Sequence, residues 1–170
     1  MDVHLIAAVS LDGYIAKDDS DDLSWSGRAD KEWFKQKTLA SGVVIMGATQ
    51  YGILAQVGLL KDRFHVVYTQ NPQNFQNQEN VFFTDMKPQQ LLKDSRLSDY
   101  TDVCIIGGSQ IFSLFLKEKV ITDMWITLCP IVLGNGVKLL SEIPPQINLS
   151  LEDTTTLDQS TLRLHYKVVY

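Results

Sequence analysis

Basic residues are in deficit in this chain. Fifteen Lys and Arg stand against twenty Asp and Glu, giving a net charge of −5 at pH 7. The cations are scattered without a run or stripe, so no positive field exists to gather a nucleic-acid backbone, and no nucleic-acid partner is expected. Cysteine is scarce as well. Cys104 and Cys129 sit inside separate apolar runs, which reads as two buried small hydrophobes rather than a disulfide or metal pair. His4, His65 and His165 lie far apart in strand-like segments, so they read as structural residues and no metal is expected. A basic leader is missing, and the first apolar run, MDVHLIAAVSLDG, opens near an acid and is broken by Asp12. No apolar stretch approaches the ~20 residues that span a bilayer. A cytoplasmic protein with no membrane partner is the expectation.

What is present fits one compact domain over residues 1–170, with 45 % hydrophobic and 21 % charged residues to build a core and a surface. VHLIAAVSL (3–11), GVVIMG (42–47), RFHVVYT (63–69), VFFTD (81–85) and DVCIIGG (102–108) are apolar runs of buried-strand type. Between them, ADKEWFKQKTLAS (29–41), ATQYGILAQVG (48–58), KPQQLLKDSRLS (87–98) and SQIFSLFLKEK (109–119) predict helices. DMWITLCPIVL (123–133), GVKLL (136–140), INLSLEDTTTL (147–157) and STLRLHYKVVY (160–170) form a strand-rich tail. Alternating strands and helices followed by consecutive strands predict an α/β domain, its sheet mostly parallel with an antiparallel end.

Several stretches can carry chemistry. IIGGSQIF (105–112) sets Gly107 and Gly108 between a strand and a helix, where bare backbone and a helix N-terminus suit a phosphate. MGATQY (46–51) repeats the design with Gly47 and Thr49. Either junction alone is equally readable as a tight turn; the pair together suits the two halves of a dinucleotide. VYTQN (67–71) ends a strand in hydroxyl and amide groups, suited to a ribose or to a plain polar loop. Asn135-Gly136 in LGNGVKLL reads as a structural turn. SLDGYIA (10–16) and the acidic stretch KDDSDDLS (17–24) read as a turn and loop, or as a cleft wall and mobile lid. In WSGRADKEWFKQKTL (25–39), Asp30 opens a helix carrying Trp33 and Phe34. By local sequence it is a helix-terminal acid first.

These stretches, in order over essentially the whole chain, resemble the dihydrofolate reductase superfamily. HLIAAVSLDGYIA resembles its first strand and loop, WSGRADKEWFKQKT its acid-bearing helix, VVIMG and CIIGGSQIFSLFL its two cofactor junctions, and WITLCP the strand whose Thr meets the acid. DMWITLCPIVLGNGVKLL is more similar to the reductase domain of the riboflavin-pathway bifunctional deaminase–reductase. The resemblance implies a three-layer sandwich with helices on both sheet faces, binding NADPH and a small heterocyclic substrate. It implies catalytic duty for Asp30 with Thr127, and substrate contacts from Ala8, Ile15, Trp25, Phe34 and Arg63. For the cofactor it implies Ala7, Gly47, Ala48 and Thr49, then Thr69 and Gln70, and finally Ile106, Gly107, Gly108, Ser109, Gln110 and Ile111. The activity it implies is NADPH-dependent hydride transfer to a riboflavin-pathway pyrimidine or a pterin. True dihydrofolate reduction and a non-catalytic nucleotide-binding module are the alternatives. Riboflavin-type relatives pair as dimers, and the strand-forming tail is the expected interface of a homodimer.

Overall fold

Eight strands make one sheet, in the order β5-β4-β3-β6-β1-β7-β10-β9. In chain order these are β1 (Asp2–Ser10), β3 (Val43–Gly47), β4 (Phe64–Tyr68), β5 (Val81–Thr84), β6 (Asp102–Gly107), β7 (Asp123–Cys129), β9 (Asn148–Thr156) and β10 (Leu162–Val169). A separate ribbon pairs β2 (Tyr14–Ala16) with β8 (Val137–Lys138). The helices are α1 (Arg28–Ser41), α2 (Ala48–Val57), α3 (Pro88–Leu91) and α4 (Ser109–Lys117). This computed structural model describes residues 1–18, 20–21, 23–142 and 146–170; Asp19 and Asp22 of the expected acidic loop lie outside the described residues.

Every pairing from β5 to β7 is parallel, and only the β7–β10 and β10–β9 pairings are antiparallel. The expected mixed sheet is therefore present. Its two faces are separate cores, because successive residues of a strand point to opposite sides. Leu5, Val43, Ile45, Val66 and Ile105 face Phe112, Phe115 and Leu116 of α4 and Leu91 of α3. Ile6, Val44, Met46, Val67 and Cys104 face Trp33 and Phe34 of α1 and Tyr51 and Leu54 of α2. Both sides are buried, which is why these strands read as unbroken apolar runs rather than alternating ones. The result is the three-layer α/β sandwich that the resemblance implied.

Three elements are shorter than the sequence predicts. Residues 87–98 are not one helix: after α3 the Asp94 carboxylate accepts the Arg96 N–H at 2.9 Å and starts a separate 3₁₀ turn, Ser95–Leu97. Asp offers the backbone this local partner and so competes with helix continuation. β7 stops at Cys129 because Pro130 has no N–H to donate. The 136–140 segment keeps only two strand residues, held against β2.

The two histidines of the sheet's first and last strands do converge. Asp123, buried, accepts from His165 Nε2 at 2.7 Å and Lys167 Nζ at 2.9 Å, while His4 Nδ1 lies 3.7 Å away. Burial alone raises an acid, but these donors and Thr122 outweigh it and hold Asp123 at about 2. The cluster ties β1, β7 and β10 together, in keeping with structural histidines.

Candidate active site

At the carboxyl ends of β1, β3, β4 and β6 the chain encloses a cleft of about 1430 Å³. That exceeds the usual ~300–1,000 Å³ of a single small-ligand pocket and accommodates two ligands side by side. The placement follows from topology: strand ends in a parallel sheet converge on one edge, and the loops leaving them surround an opening.

Asp30 occupies one wall. It stands at the third position of α1, whose preceding residue is Gly27, with φ 86°. The carboxylate does not act as a helix cap. It accepts side-chain hydrogen bonds from Thr127, on the facing β7, and from Ser26, in the short 3₁₀ turn before the helix. Only 8 % of Asp30 is exposed, yet it lines the cleft. Burial raises its pKa, and the two hydroxyls and nearby Lys31 offset part of that rise. A carboxylate so placed can accept paired N–H donors from a ring edge, and it holds a proton more readily than an exposed one. Ala8, Ile15 and Phe34 line the same cleft as its apolar surround.

The two glycine junctions form the opposite stretch. Gly47, Ala48 and Thr49 open α2, and Ile106, Gly107, Gly108, Ser109, Gln110 and Ile111 run from β6 into α4. Ala7, Thr69 and Gln70 line it as well. The Ile111 and Phe112 amides are the first of α4 to bond back, both to Gly108 O, at 2.9 and 3.0 Å. A Cβ built on Gly108 would meet nothing within 4 Å, so its bare backbone borders open cleft. A Cβ on Gly47 would come 3.3 Å from Ile111, so there the glycine lets the two junctions approach each other.

The structure thus gathers sixteen of the nineteen expected site residues around one opening and leaves three outside its lining. Thr127 sits directly behind Asp30, buried and bonded to it. Trp25 turns its indole N–H to Asp21, at 3.0 Å. Arg63 is the correction. Its guanidinium is 6 % exposed beneath α1, donating to Thr38 Oγ1 at 3.0 Å, Lys61 O at 2.7 Å and Lys35 O at 2.9 Å. These acceptors lie on α1 and in the segment before β4, so this arginine serves them rather than the cleft.

Sequence reasoning missed Ser26 and Tyr68; Asp18 and Asp21, from the acidic stretch offered as a loop or a cleft wall, line the cleft. Ser26 carries no spacing signal; it reaches Asp30 only because the chain bends between them. Tyr68 ends β4 with a buried hydroxyl that has no partner among the described residues, as is true of Ser109 Oγ, and both residues line the cleft. Burial pushes the Tyr68 phenol up, so it remains a neutral donor. The segment around Asn135-Gly136, expected as a structural turn, packs against the chain after β1, and Gly136 also lines the cleft. Asp12 accepts from Leu133 N and Gly134 N at 3.1 and 2.7 Å, and a Cβ on Gly136 would overlap Ala16 O.

The family model described as dihydrofolate reductase matches residues 2–133. The chain belongs to the dihydrofolate reductase family. It is 31 % identical over 171 residues to the uncharacterised protein YwjB of Bacillus subtilis, with 95 % of each chain covered. Among solved structures, Acinetobacter baumannii RibD aligns with a TM-score of 0.79 at 22 % identity, over 99 % of this chain and 58 % of that one. Enterococcus faecalis dihydrofolate reductase, complexed with NADP(H) and RAB-propyl, aligns at 0.75 and 19 % identity, over 98 % and 96 %. At these identities the structural likeness establishes the fold.

Proposed function

We propose that the protein is an NADPH-dependent reductase, nearer the riboflavin-type reductases, which transfers hydride to a pyrimidine or pterin ring. The observation that carries this reading is the buried, cleft-facing Asp30, hydrogen-bonded by Thr127 and Ser26, opposite two glycine–helix junctions. The cofactor supplies the hydride when bound, and the protein supplies orientation and electrostatics. The residues present fit such a group. Two helix N-termini and the open backbone at Gly108 suit its pyrophosphate, and the unpartnered Tyr68 and Ser109 hydroxyls await acceptors. Thr69 and Gln70, beyond β4, suit the adenosine ribose.

Asp30 holds the ring by its N–H edge and keeps a proton available to the ring nitrogen. Thr127 and Ser26 fix the carboxylate's direction, and Phe34 and Ile15 exclude water from it. The test is a screen of NADPH oxidation against reduced pterins, dihydrofolate and the riboflavin-pathway pyrimidine, alongside calorimetry with NADPH and NADH. Reduction of one such ring is the expected result. Binding of neither nucleotide at millimolar concentration removes the cofactor assignment.

The homodimer belongs to the same proposal. On the α4 side of the sheet, Leu162 of β10 and Leu149 and Leu151 of the edge strand β9 are 37 %, 44 % and 55 % exposed. An apolar sheet face of this kind supports a symmetric partner.

A further inference from the structure

Away from Asp30, the cleft ends in a slot beside α4, over the carboxyl ends of β4 and β5. The sheet order gives it a place along a bound dinucleotide. Thr127 of β7 stands behind Asp30, β6 and β3 end in the two glycine junctions, and β4 and β5 lie beyond them. A dinucleotide with its pyrophosphate on the junctions and its nicotinamide toward Asp30 therefore lays its other half over β4 and β5. Tyr68 pairs with Gly47 on one side and Thr84 on the other, so it is one strand from the nearer junction. Gln89 Nε2 donates to Glu118 O at 3.0 Å, which draws the chain after β5 against the end of α4. Met86, Pro88 and Leu114 line the slot with apolar surface that suits a flat ring.

Tyr68 brings a polar group to this apolar slot. The residue is only 7 % exposed, and its hydroxyl has no partner among the described residues. Its ring is set edge-on to Phe115, with centroids 5.5 Å apart and planes at 79°, so the hydroxyl's position is fixed by packing. A buried hydroxyl is costly to leave unpaired, and one that borders a cleft is satisfied when a ligand atom arrives. Burial first, and the nearby Glu118 carboxylate second, push the phenol up, so it stays a neutral O–H donor. Glu118, half-buried just after α4, lines the same slot and adds an acceptor beside that donor. Asp85 and Lys87 also line the cleft here, but both are exposed.

We infer that Tyr68 and Glu118 read the base of the nucleotide, the Tyr68 hydroxyl donating to a ring nitrogen of adenine and the Glu118 carboxylate accepting from its 6-amine. Both hydrogen-bonding edges of adenine set an acceptor nitrogen beside that amine. A 6-oxopurine sets a carbonyl oxygen there instead, and two acceptors then face each other. The slot thus selects adenine over 6-oxopurines. The inference rests on the cofactor reading above and adds the residues that recognise the base.

Calorimetry tests it with NADPH and nicotinamide hypoxanthine dinucleotide phosphate, which differ only in the base. The wild type is expected to bind NADPH at least ~10-fold more tightly, the scale of one mismatched buried hydrogen bond. Tyr68→Phe should weaken NADPH ~5-fold or more, and should weaken adenosine 2′,5′-bisphosphate, the half that carries the base, by a similar factor. Thermal scans without nucleotide separate this role from a structural one. Because the hydroxyl has no protein partner, Tyr68→Phe should melt at or above the wild-type temperature, whereas a structural hydroxyl would lower it. Glu118→Gln, whose amide donates to a 6-oxo group, should narrow the gap between the dinucleotides ~5-fold or more. That variant, at a partly exposed position, keeps the test valid if Tyr68→Phe disturbs the core. Equal binding of the two dinucleotides overturns the inference, as does a gap that neither variant changes. Binding of neither dinucleotide at millimolar concentration overturns the cofactor reading and this inference with it.

Discussion

Asp30 is the residue on which the proposed function and stability pull in opposite directions. Burial raises its pKa in the folded chain above the ordinary 3.8, so between those two values the native state binds the proton more tightly than the unfolded state. Its contribution to stability therefore falls as pH rises through that window, and at pH 7 the ionised group costs stability. Asp30→Asn removes this cost. The variant should melt at or above the wild-type temperature at pH 7, and the difference should vanish below about pH 3.8, which a pH series of thermal scans measures. Turnover should meanwhile fall by about 10²–10⁴-fold, the usual loss for a positioned acid–base group, and less at low pH where solvent protonates the ring. An unchanged rate would return Asp30 to a structural role. Gly108 separates the cofactor from the fold in the same way. A Cβ there meets open space, so Gly108→Val should leave stability nearly unchanged and weaken NADPH binding ~10-fold or more in calorimetry.

Among the elements, α1 matters most, because it carries Asp30 on its first turn and closes one sheet face with Trp33 and Phe34. Its far end is held by Arg63, through Lys35 O and Thr38 Oγ1. Arg63→Met should therefore act on stability, costing about 2–4 kcal/mol as buried acceptors lose a charged donor, read by chemical denaturation. Because Arg63 lies outside the cleft, the same variant should leave KM for the reduced substrate within about twofold. A large rise in KM with stability intact would instead place Arg63 at the substrate. The β2–β8 ribbon has an analogous positional role. Asp12 draws Leu133 and Gly134 to the turn after β1, and this sets Ile15 and Val137 on the cleft's rim.

For the molecule as a whole, the uncovered third of the sheet is the open question of assembly. Helices cover the parallel strands on both faces, whereas β9 and β10 leave Leu149, Leu151 and Leu162 in contact with solvent on the α4 side. Light scattering at tens of micromolar should give twice the chain mass of 19.2 kDa. Leu151→Lys, which sets a charge in that patch, should return the molecule to a monomer without unfolding it. A monomeric wild type would leave the patch without a partner copy. No helix among the described residues is long and apolar enough to cross a membrane, and no group of His, Cys, Asp and Glu among them is placed to hold a metal ion.

The sequence by itself determined the layers and the two glycine junctions that line one part of the cleft. Parallel strands buried on both faces must be apolar throughout, and a glycine between strand and helix is visible as a local pattern, so β1, β3, β4, β6 and both junctions were legible from runs and spacing. Locally Asp30 read as a helix-terminal acid, and only the family resemblance paired it with Thr127; residue spacing did not choose its partners. That choice belonged to tertiary structure. Ser26 and Thr127 reach Asp30 from a turn and from a strand about a hundred residues away, and Arg63 was drawn beneath α1 rather than into the cleft. A side chain's partner is decided by which strands become neighbours, and the order β6-β1-β7-β10 joins residues that no local pattern connects. The same cause gathers His4, Asp123 and His165, three strand residues that sequence spacing keeps apart.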